Sequence, residues 1–229
     1  MTTSFDTAEF QGALSSSSQA MRTAMVSSQL RTTAVSDQRV IAAMARVPRE
    51  AFVPAELREI AYRDALLPVS GGRTINLPMA TGRLLTEAYL RPTDRVLLIG
   101  AAGGYTAAIL AEIVAHVVAV EQDPALVTLA REALAGFGTV ELVEAPLTGG
   151  HPAGGPYDVL VIDGAIEAVP DALVGQVKPD GRVVTGLIDH GVTRLASGRK
   201  TDGGFGLSAF ADSECAKLPG FSTPTGFRF

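Results

Sequence analysis

Residues 94–123, DRVLLIGAAGGYTAAILAEIVAHVVAVEQD, constrain the fold more tightly than any other stretch of this chain. A short apolar run ends at Ile99. Gly100, Ala101, Ala102, Gly103 and Gly104 then make a turn with almost no side-chain bulk, residues 105–115 have helical character, and a second apolar run ends at Glu121, 21 positions after Gly100. Small residues let backbone and a helix N-terminus approach a nucleotide-type ligand, and an acid at the tip of the next strand binds ribose hydroxyls. The stretch therefore predicts a parallel strand–helix–strand unit with a cofactor site, and leaves the cofactor open.

Further strand-like runs at 140–143, 159–162 and 182–187 alternate with helical stretches near 124–135 and 167–177. Near-continuous apolar strands alternating with helices form a parallel sheet covered on both faces, and right-handed crossovers make it doubly wound. Ahead of this core, residues 20–31 and a stripe of Val40, Ile41, Met44 and Val47 predict two helices, the second capped by Ser36 and stopped by Pro48. A helical segment at 56–61, a loop at 70–78 and a helix at 79–90 follow. Residues 192–197 and 205–212 predict an antiparallel hairpin. Residues 1–19, with four consecutive serines, read as a mobile leader with at most a short helix. The division expected is a single domain over 20–229: helical extension and loop (20–90), cofactor core (91–190), and hairpin with aromatic tail (191–229). Phe221, Phe227 and Phe229 are expected to cover an edge strand, pack in a dimer or lie over a cleft, the first being the simplest.

A net charge of −5 from 19 basic and 24 acidic residues, with no basic run, gives no footprint for nucleic acid. Apolar stretches fall short of the roughly 20 residues of a membrane span, and no basic-then-apolar leader is seen, so a cytoplasmic protein is expected. The lone Cys215 excludes an internal disulfide and any cysteine-cluster metal site; it reads as a buried or half-buried thiol, and no metal is expected. His116, His151 and His190 read as structural or surface residues.

Several segments, in order, resemble the protein-L-isoaspartate O-methyltransferase family: MVSSQLR (25–31), VPREAFVP (47–54), AYRDALLPV (61–69) and GGRTINLPM (71–79) before the cofactor unit, then PYDVLVIDGA (156–165), VP (169–170) and QVKPDGRVV (176–184) after it. The resemblance implies a class I methyltransferase with a mostly parallel seven-stranded sheet and an antiparallel C-terminal element. It implies S-adenosylmethionine as cofactor, and as partner a protein or peptide bearing isoaspartyl residues, methylated in protein repair. It also implies roles: Thr74 and Asn76 in the loop facing the methyl group, and Gly100, Ala101, Ala102, Gly103, Gly104, Tyr105, Glu121, Gln122, Glu144 and Ala145 around the cofactor.

The chain departs from the family at four positions. Asn76 stands where the family has its functional serine, Leu98 where it has an acid contacting the methionine portion, Ala102 for a glycine, and Ala145 for the acid that meets adenine. Each lost polar contact is worth about 0.5–1.5 kcal/mol, and Glu144, one residue away, is placed to compensate. Each site residue also has a structural reading. Asn76 suits the turn before Pro78, Glu121 an exposed strand end, the glycines a tight turn without ligand, and Tyr105 packing on the sheet. Asp163 reads first as a cap for a helix near Glu167, second as a site residue. Two other functions remain: a degenerate family member that binds a ligand or partner without catalysis, and a nicotinamide-dependent enzyme. Against the latter, the turn does not place glycines at all three positions of G-x-G-x-x-G.

Overall fold

A computed structural model of the chain describes residues 17–222. Among them, seven strands form one sheet: β1 (Arg95–Ile99), β2 (His116–Glu121), β3 (Val140–Glu144), β4 (Tyr157–Ile166), β5 (Val177–Asp189), β6 (Val192–Thr201) and β7 (Gly204–Asp212). Their order is β3-β2-β1-β4-β5-β6-β7; β1 to β5 pair in parallel, and β6 and β7 add antiparallel strands at one edge. The doubly wound, mostly parallel seven-stranded sheet expected from the sequence is thus the one that forms. After a helical stretch over residues 17–25, the helices are α1 (Gln38–Arg46), α2 (Pro78–Glu87), α3 (Tyr105–Ala111), α4 (Pro124–Ala133) and α5 (Asp171–Val174).

The period-two geometry of a strand sorts its side chains onto opposite faces. Val96 and Leu98 of β1, Val117 and Ala119 of β2, and Val159 and Val161 of β4 join the cluster formed with the N-terminal extension, α2 and α3. Leu97, Ile99, Val118, Val120, Leu160 and Ile162 face the other way, where Leu173 of α5 and Leu147, Leu218 and Phe221 from loops cover them. β2 is added on one side of β1 and β4 on the other, so the strand order reverses at β1, and the crevice beyond the C-terminal ends of these strands is where open sheets of this type bind ligands.

Several local expectations are corrected. Asp37, not Ser36, caps α1, its carboxylate accepting from Arg39 N–H at 2.8 Å. The helix expected at 167–177 shrinks to four residues, because Val177 pairs with Tyr157 and starts β5. β4 runs on to Ile166, so Asp163 lies inside a strand and caps nothing. The helix expected at 105–115 ends as α3 at Ala111, and that expected at 56–61 is a 3-10 segment, Ala55–Ile60. Within the expected loop at 70–78, Thr74–Ile75 pairs with Leu67–Pro68, and α2 begins at Pro78, whose missing N–H costs a helix nothing at its first position. Residues 17–19 of the expected leader are helical, continuing to a π-turn at Val26–Leu30; residues 1–16, like Phe227 and Phe229, lie outside the described part. At the N-terminal end of the sheet, Asp94 and Arg182 pair at 2.7 Å, buried.

Candidate functional site

The glycine turn sits at the C-terminal end of β1, anchored by Gly100 and Ala101 N–H groups donating to Val120 O at 3.0 and 3.1 Å. A Cβ on Gly103 would stand 2.0 Å from the Phe52 carbonyl oxygen, so the VPREAFVP segment itself requires this glycine. Gly104 has φ +97°, and Ala102 has φ 47°, a left-handed conformation that costs an alanine more than it would a glycine. The turn is therefore shaped by the chain's own packing as well as by any ligand.

Glu121, at the tip of β2, is fully buried. Arg73 grips it with two hydrogen bonds, Nη1 at 2.7 Å and Nη2 at 3.2 Å, and it also accepts from the N–H groups of Ala102, Gln122 and Asp123 at 2.7, 2.8 and 3.1 Å. Arg73 Nε is buried without a partner. The loop carrying Arg73 contains Gly71 and Gly72, both at positive φ, and is tied to Asp123 through Ser70 Oγ at 3.1 Å. A cleft of about 410 Å³ opens between residues 71–73, 122–124 and 217–219. For Asp123, burial alone would raise the carboxyl, but hydrogen bonds from Leu126 N–H, Ser70 and Ala125 N–H hold it below the ordinary range.

A second constellation, beyond β4, was not legible in the sequence. Asp163 accepts from Asn76 Nδ2 at 2.7 Å, from Thr81 Oγ1 at 3.2 Å and from Thr106 Oγ1. Asn76 is buried; its Oδ1 accepts from Ala216 N–H at 2.6 Å, and its backbone carbonyl accepts from Arg49 Nη2 at 2.5 Å. The turn-stabilising reading of Asn76 therefore understates it, since its amide ties the loop before α2 to β4 and to the C-terminal segment. That segment lies alongside β4: Ala165 N–H donates to Ala216 O at 2.6 Å and Leu218 N–H to Ala165 O at 3.1 Å. Cys215 within it is a buried free thiol, pushed up to about 12 by burial and then by Asp163.

Arg49 is fully buried. Its Nε donates to Ala61 O at 2.7 Å, its guanidinium carbon lies 4.7 Å from the centre of the Tyr105 ring, and its Nη1 has no hydrogen-bond partner. Burial lowers its pKa, with Tyr105 and Asp163 opposing, and an arginine stays charged nonetheless. The Tyr105 hydroxyl is likewise buried without a partner, its pKa pushed up to about 12 by burial. Orphaned polar atoms of this kind cost stability, about 1–3 kcal/mol each, unless something else satisfies them.

Of the residues singled out from sequence, Gly100, Ala101, Ala102, Gly103, Gly104, Tyr105, Glu121, Asn76 and Thr74 converge on the ends of β1, β2 and β4, with Thr74 half-buried in its two-residue ribbon. Gln122 is exposed on the cleft wall, its Oε1 accepting from Leu147 N–H at 3.3 Å. Glu144 is exposed opposite Glu121, and Ala145 N–H donates to Glu121 O at 3.0 Å. Leu98 points into the apolar cluster shared with the extension. The histidines lie elsewhere, His116 and His151 each 3.7 Å from Glu141 and His190 exposed beside Asp189. Among the described residues no cluster of His, Cys, Asp and Glu could hold a metal, and no helix is long and apolar enough to cross a membrane. Sequence reasoning missed Arg73, Arg49 and the pairing of Asp163 with Asn76; for Arg49 and Arg73 the signal available was their place inside two of the quoted motifs.

Comparison with known proteins adds what geometry cannot. The family model for protein-L-isoaspartate(D-aspartate) O-methyltransferase matches residues 20–207. Proteins named protein-L-isoaspartate O-methyltransferase from Methanoculleus marisnigri and Rhodopseudomonas palustris are each 41% identical, over 71% and 70% of this chain and 75% and 74% of theirs. A solved protein-L-isoaspartate O-methyltransferase superposes with TM-score 0.74 at 22% identity, covering 89% of this chain and 66% of its own. A Plasmodium falciparum protein assigned to the same enzyme class, solved with S-adenosyl-L-homocysteine, gives 0.71 at 17%, covering 86% and 95%. At these identities the structures speak for the fold alone.

Proposed function

The chain belongs to the protein-L-isoaspartate(D-aspartate) O-methyltransferase family, and on that premise we propose that it transfers a methyl group from S-adenosylmethionine to a carboxylate of isoaspartyl residues in damaged proteins, in the cytoplasm. The observation that carries this reading is the meeting of the 74–76 loop, through Asn76 Nδ2 and Asp163 at 2.7 Å, with the ends of β1 and β4 beside the glycine turn. We take residues 20–229 as one catalytic unit.

The residues present fit the cofactor in kind. A cleft of about 410 Å³ is within the usual size of a small-molecule site, the Arg73 that lines it covers the buried Glu121 carboxylate, and buried donors without partners, Arg49 Nη1 and the Tyr105 hydroxyl, face the glycine turn. Bound there, S-adenosylmethionine supplies a methyl on a sulfonium. Glu121 would hold the ribose hydroxyls once Arg73 releases it, and Gln122, Glu144 and Ala145 would border the adenine. An acceptor carboxyl, with reference pKa near 4, is ionised at neutral pH, so this chain needs no general base. The work left to its residues is orientation and exclusion of water. Thr74 and Asn76 would orient the acceptor, the Asn76 amide turning its N–H from Asp163 to the incoming oxygen.

A second reading is favoured by one specific observation. The Asp163 carboxylate lies within hydrogen-bonding distance of the same amide that would receive an anionic acceptor, and like charges so placed repel. A member that binds cofactor without methylating isoaspartate fits that arrangement. Transfer of labelled methyl to an isoaspartyl peptide, against the matched aspartyl peptide, decides. Selective labelling of the isoaspartyl peptide is expected; no transfer while S-adenosylhomocysteine still binds would leave only the second reading.

A further inference from the structure

Beside the glycine turn lies a small cavity whose walls carry two opposite charges that do not pair with each other. On one side the Arg49 Nη1 group and the Tyr105 hydroxyl are buried donors without acceptors. On another stands Asp163, whose carboxylate is held by three neutral donors, Asn76, Thr81 and Thr106, and is in no ion pair among the described residues. Residues 101–103 of the glycine turn and Phe52, Val53, Ile75 and Thr106 complete the lining. Arg49 and Asp163 feel each other's charge but do not make a hydrogen bond, so each keeps free bonding capacity toward the cavity.

A guanidinium and a carboxylate that face one cavity without pairing suit a ligand that carries both opposite charges on neighbouring atoms. We propose that this cavity clamps the α-amino-acid head group of the cofactor, Arg49 Nη1 and Tyr105 Oη taking its carboxylate and Asp163 its ammonium. The proposal rests on the cofactor reading above and deepens it by assigning positioning residues. It also accounts for Leu98. Leu98 pairs with Val161 and Ile99 with Ile162, so Asp163 follows beside Gly100, and a carboxylate there stands one strand over and two residues further on from the position at which β1 carries leucine. The carboxylate missing from β1 is thus supplied by β4.

The cavity is narrow, about 10 Å³, room for a single water. A head group enters only as residues 74–76 lift from Asp163, which frees the carboxylate at the same moment. Binding the cofactor and releasing the Asn76 amide for the acceptor would then be one event.

Titration calorimetry with S-adenosylhomocysteine, its decarboxylated analogue and its deaminated analogue tests the clamp on the whole chain. Asp163→Asn is expected to weaken S-adenosylhomocysteine by at least about tenfold while leaving the deaminated analogue unchanged. Arg49→Lys and Tyr105→Phe are expected to weaken S-adenosylhomocysteine while leaving the decarboxylated analogue unchanged. Tyr105→Phe removes one hydroxyl without an existing partner, so it keeps the assay decisive if substitutions at Arg49 impair folding. Equal losses for all three ligands, or none, while the wild-type protein binds S-adenosylhomocysteine, would mean that Arg49 and Asp163 merely neutralise each other across a structural void. If the wild-type protein binds none of the three, the cofactor reading itself is overturned, and the clamp with it.

Discussion

Two buried arginine–carboxylate pairs stand at opposite ends of the same sheet, and the difference between them separates what holds this molecule together from what it works with. Arg182 and Asp94 meet at 2.7 Å at the N-terminal end, where Arg182 also donates to Ala88 O at 3.1 Å and to Tyr89 O, and Asp94 also accepts from Arg91 N–H at 2.7 Å. Arg182 comes from β5 and Asp94 from the turn before β1, so one guanidinium fastens α2's C-terminal carbonyls to the sheet and is itself held by that turn. Arg73 and Glu121 also meet at 2.7 Å, but at the C-terminal end, with Arg73 directly preceded by two left-handed glycines, one of its nitrogens unpartnered and a cleft alongside. The chemistry is the same; one pair is enclosed by regular backbone, and the other is positioned to come apart.

The comparison predicts unequal costs. Arg182→Ala leaves Asp94 charged, buried and short of a partner, and removes donors from two helix-end carbonyls. A loss of about 3–5 kcal/mol in unfolding free energy is expected by denaturant titration, at the level of breaking a buried pair. Arg73→Ala is expected to cost less, about 1–3 kcal/mol, because Glu121 keeps three backbone N–H donors and gains access to the cleft. It should also tighten S-adenosylhomocysteine severalfold, since the ligand no longer displaces the guanidinium. Weaker binding in Arg73→Ala would show instead that the arginine helps hold the ligand, and an equal stability loss in the two variants would erase the distinction between the ends.

How much of this was legible in the sequence follows from how far apart the partners are. The glycine turn, the alternating faces of β1, β2 and β4, and the antiparallel edge are local patterns, and each could be read from a few consecutive residues. Asp163 could not. A single acid between an apolar run and a polar stretch carries the signature of a helix cap, yet its partners Asn76, Thr81 and Thr106 lie 87, 82 and 57 positions away. Arg73 and Glu121 are 48 apart, and nothing local in GGRTIN says which carboxylate the arginine will meet. Even the glycines were legible only in part: Gly103 was explained by a ligand's approach, whereas the Phe52 carbonyl alone would exclude a side chain there. Periodicity fixes elements; the chemistry sits where elements distant in sequence converge.

The smallest effect tests whether the 70–73 loop belongs to the site or only lies near it. Asp158, near the closed end, and Asp123, at the cleft, both titrate below the ordinary carboxyl range. In each, burial acts upward and is outweighed, for Asp158 by hydrogen bonds from Lys178 and Arg95 N–H, for Asp123 by those from Leu126 N–H, Ser70 and Ala125 N–H. A carboxyl with a depressed folded pKa contributes stability that is present above its unfolded value, near 3.8, and is lost as the pH falls through the folded one. Both sites therefore weaken the fold in acid below about pH 4, each modestly, the solvent-screened, half-buried Asp158–Lys178 pair by no more than about 1 kcal/mol. Asp158→Asn should flatten that acid limb slightly and leave ligand affinity alone. Asp123→Asn keeps a competent cap for α4 but gives up the charge that Ser70 holds, so it should flatten the limb and also shift S-adenosylhomocysteine affinity at neutral pH in the same direction as Arg73→Ala, by a smaller factor. If Asp123→Asn leaves affinity unchanged, Ser70 does not restrain the arginine, and the opening of the Arg73–Glu121 pair is governed by its glycines alone.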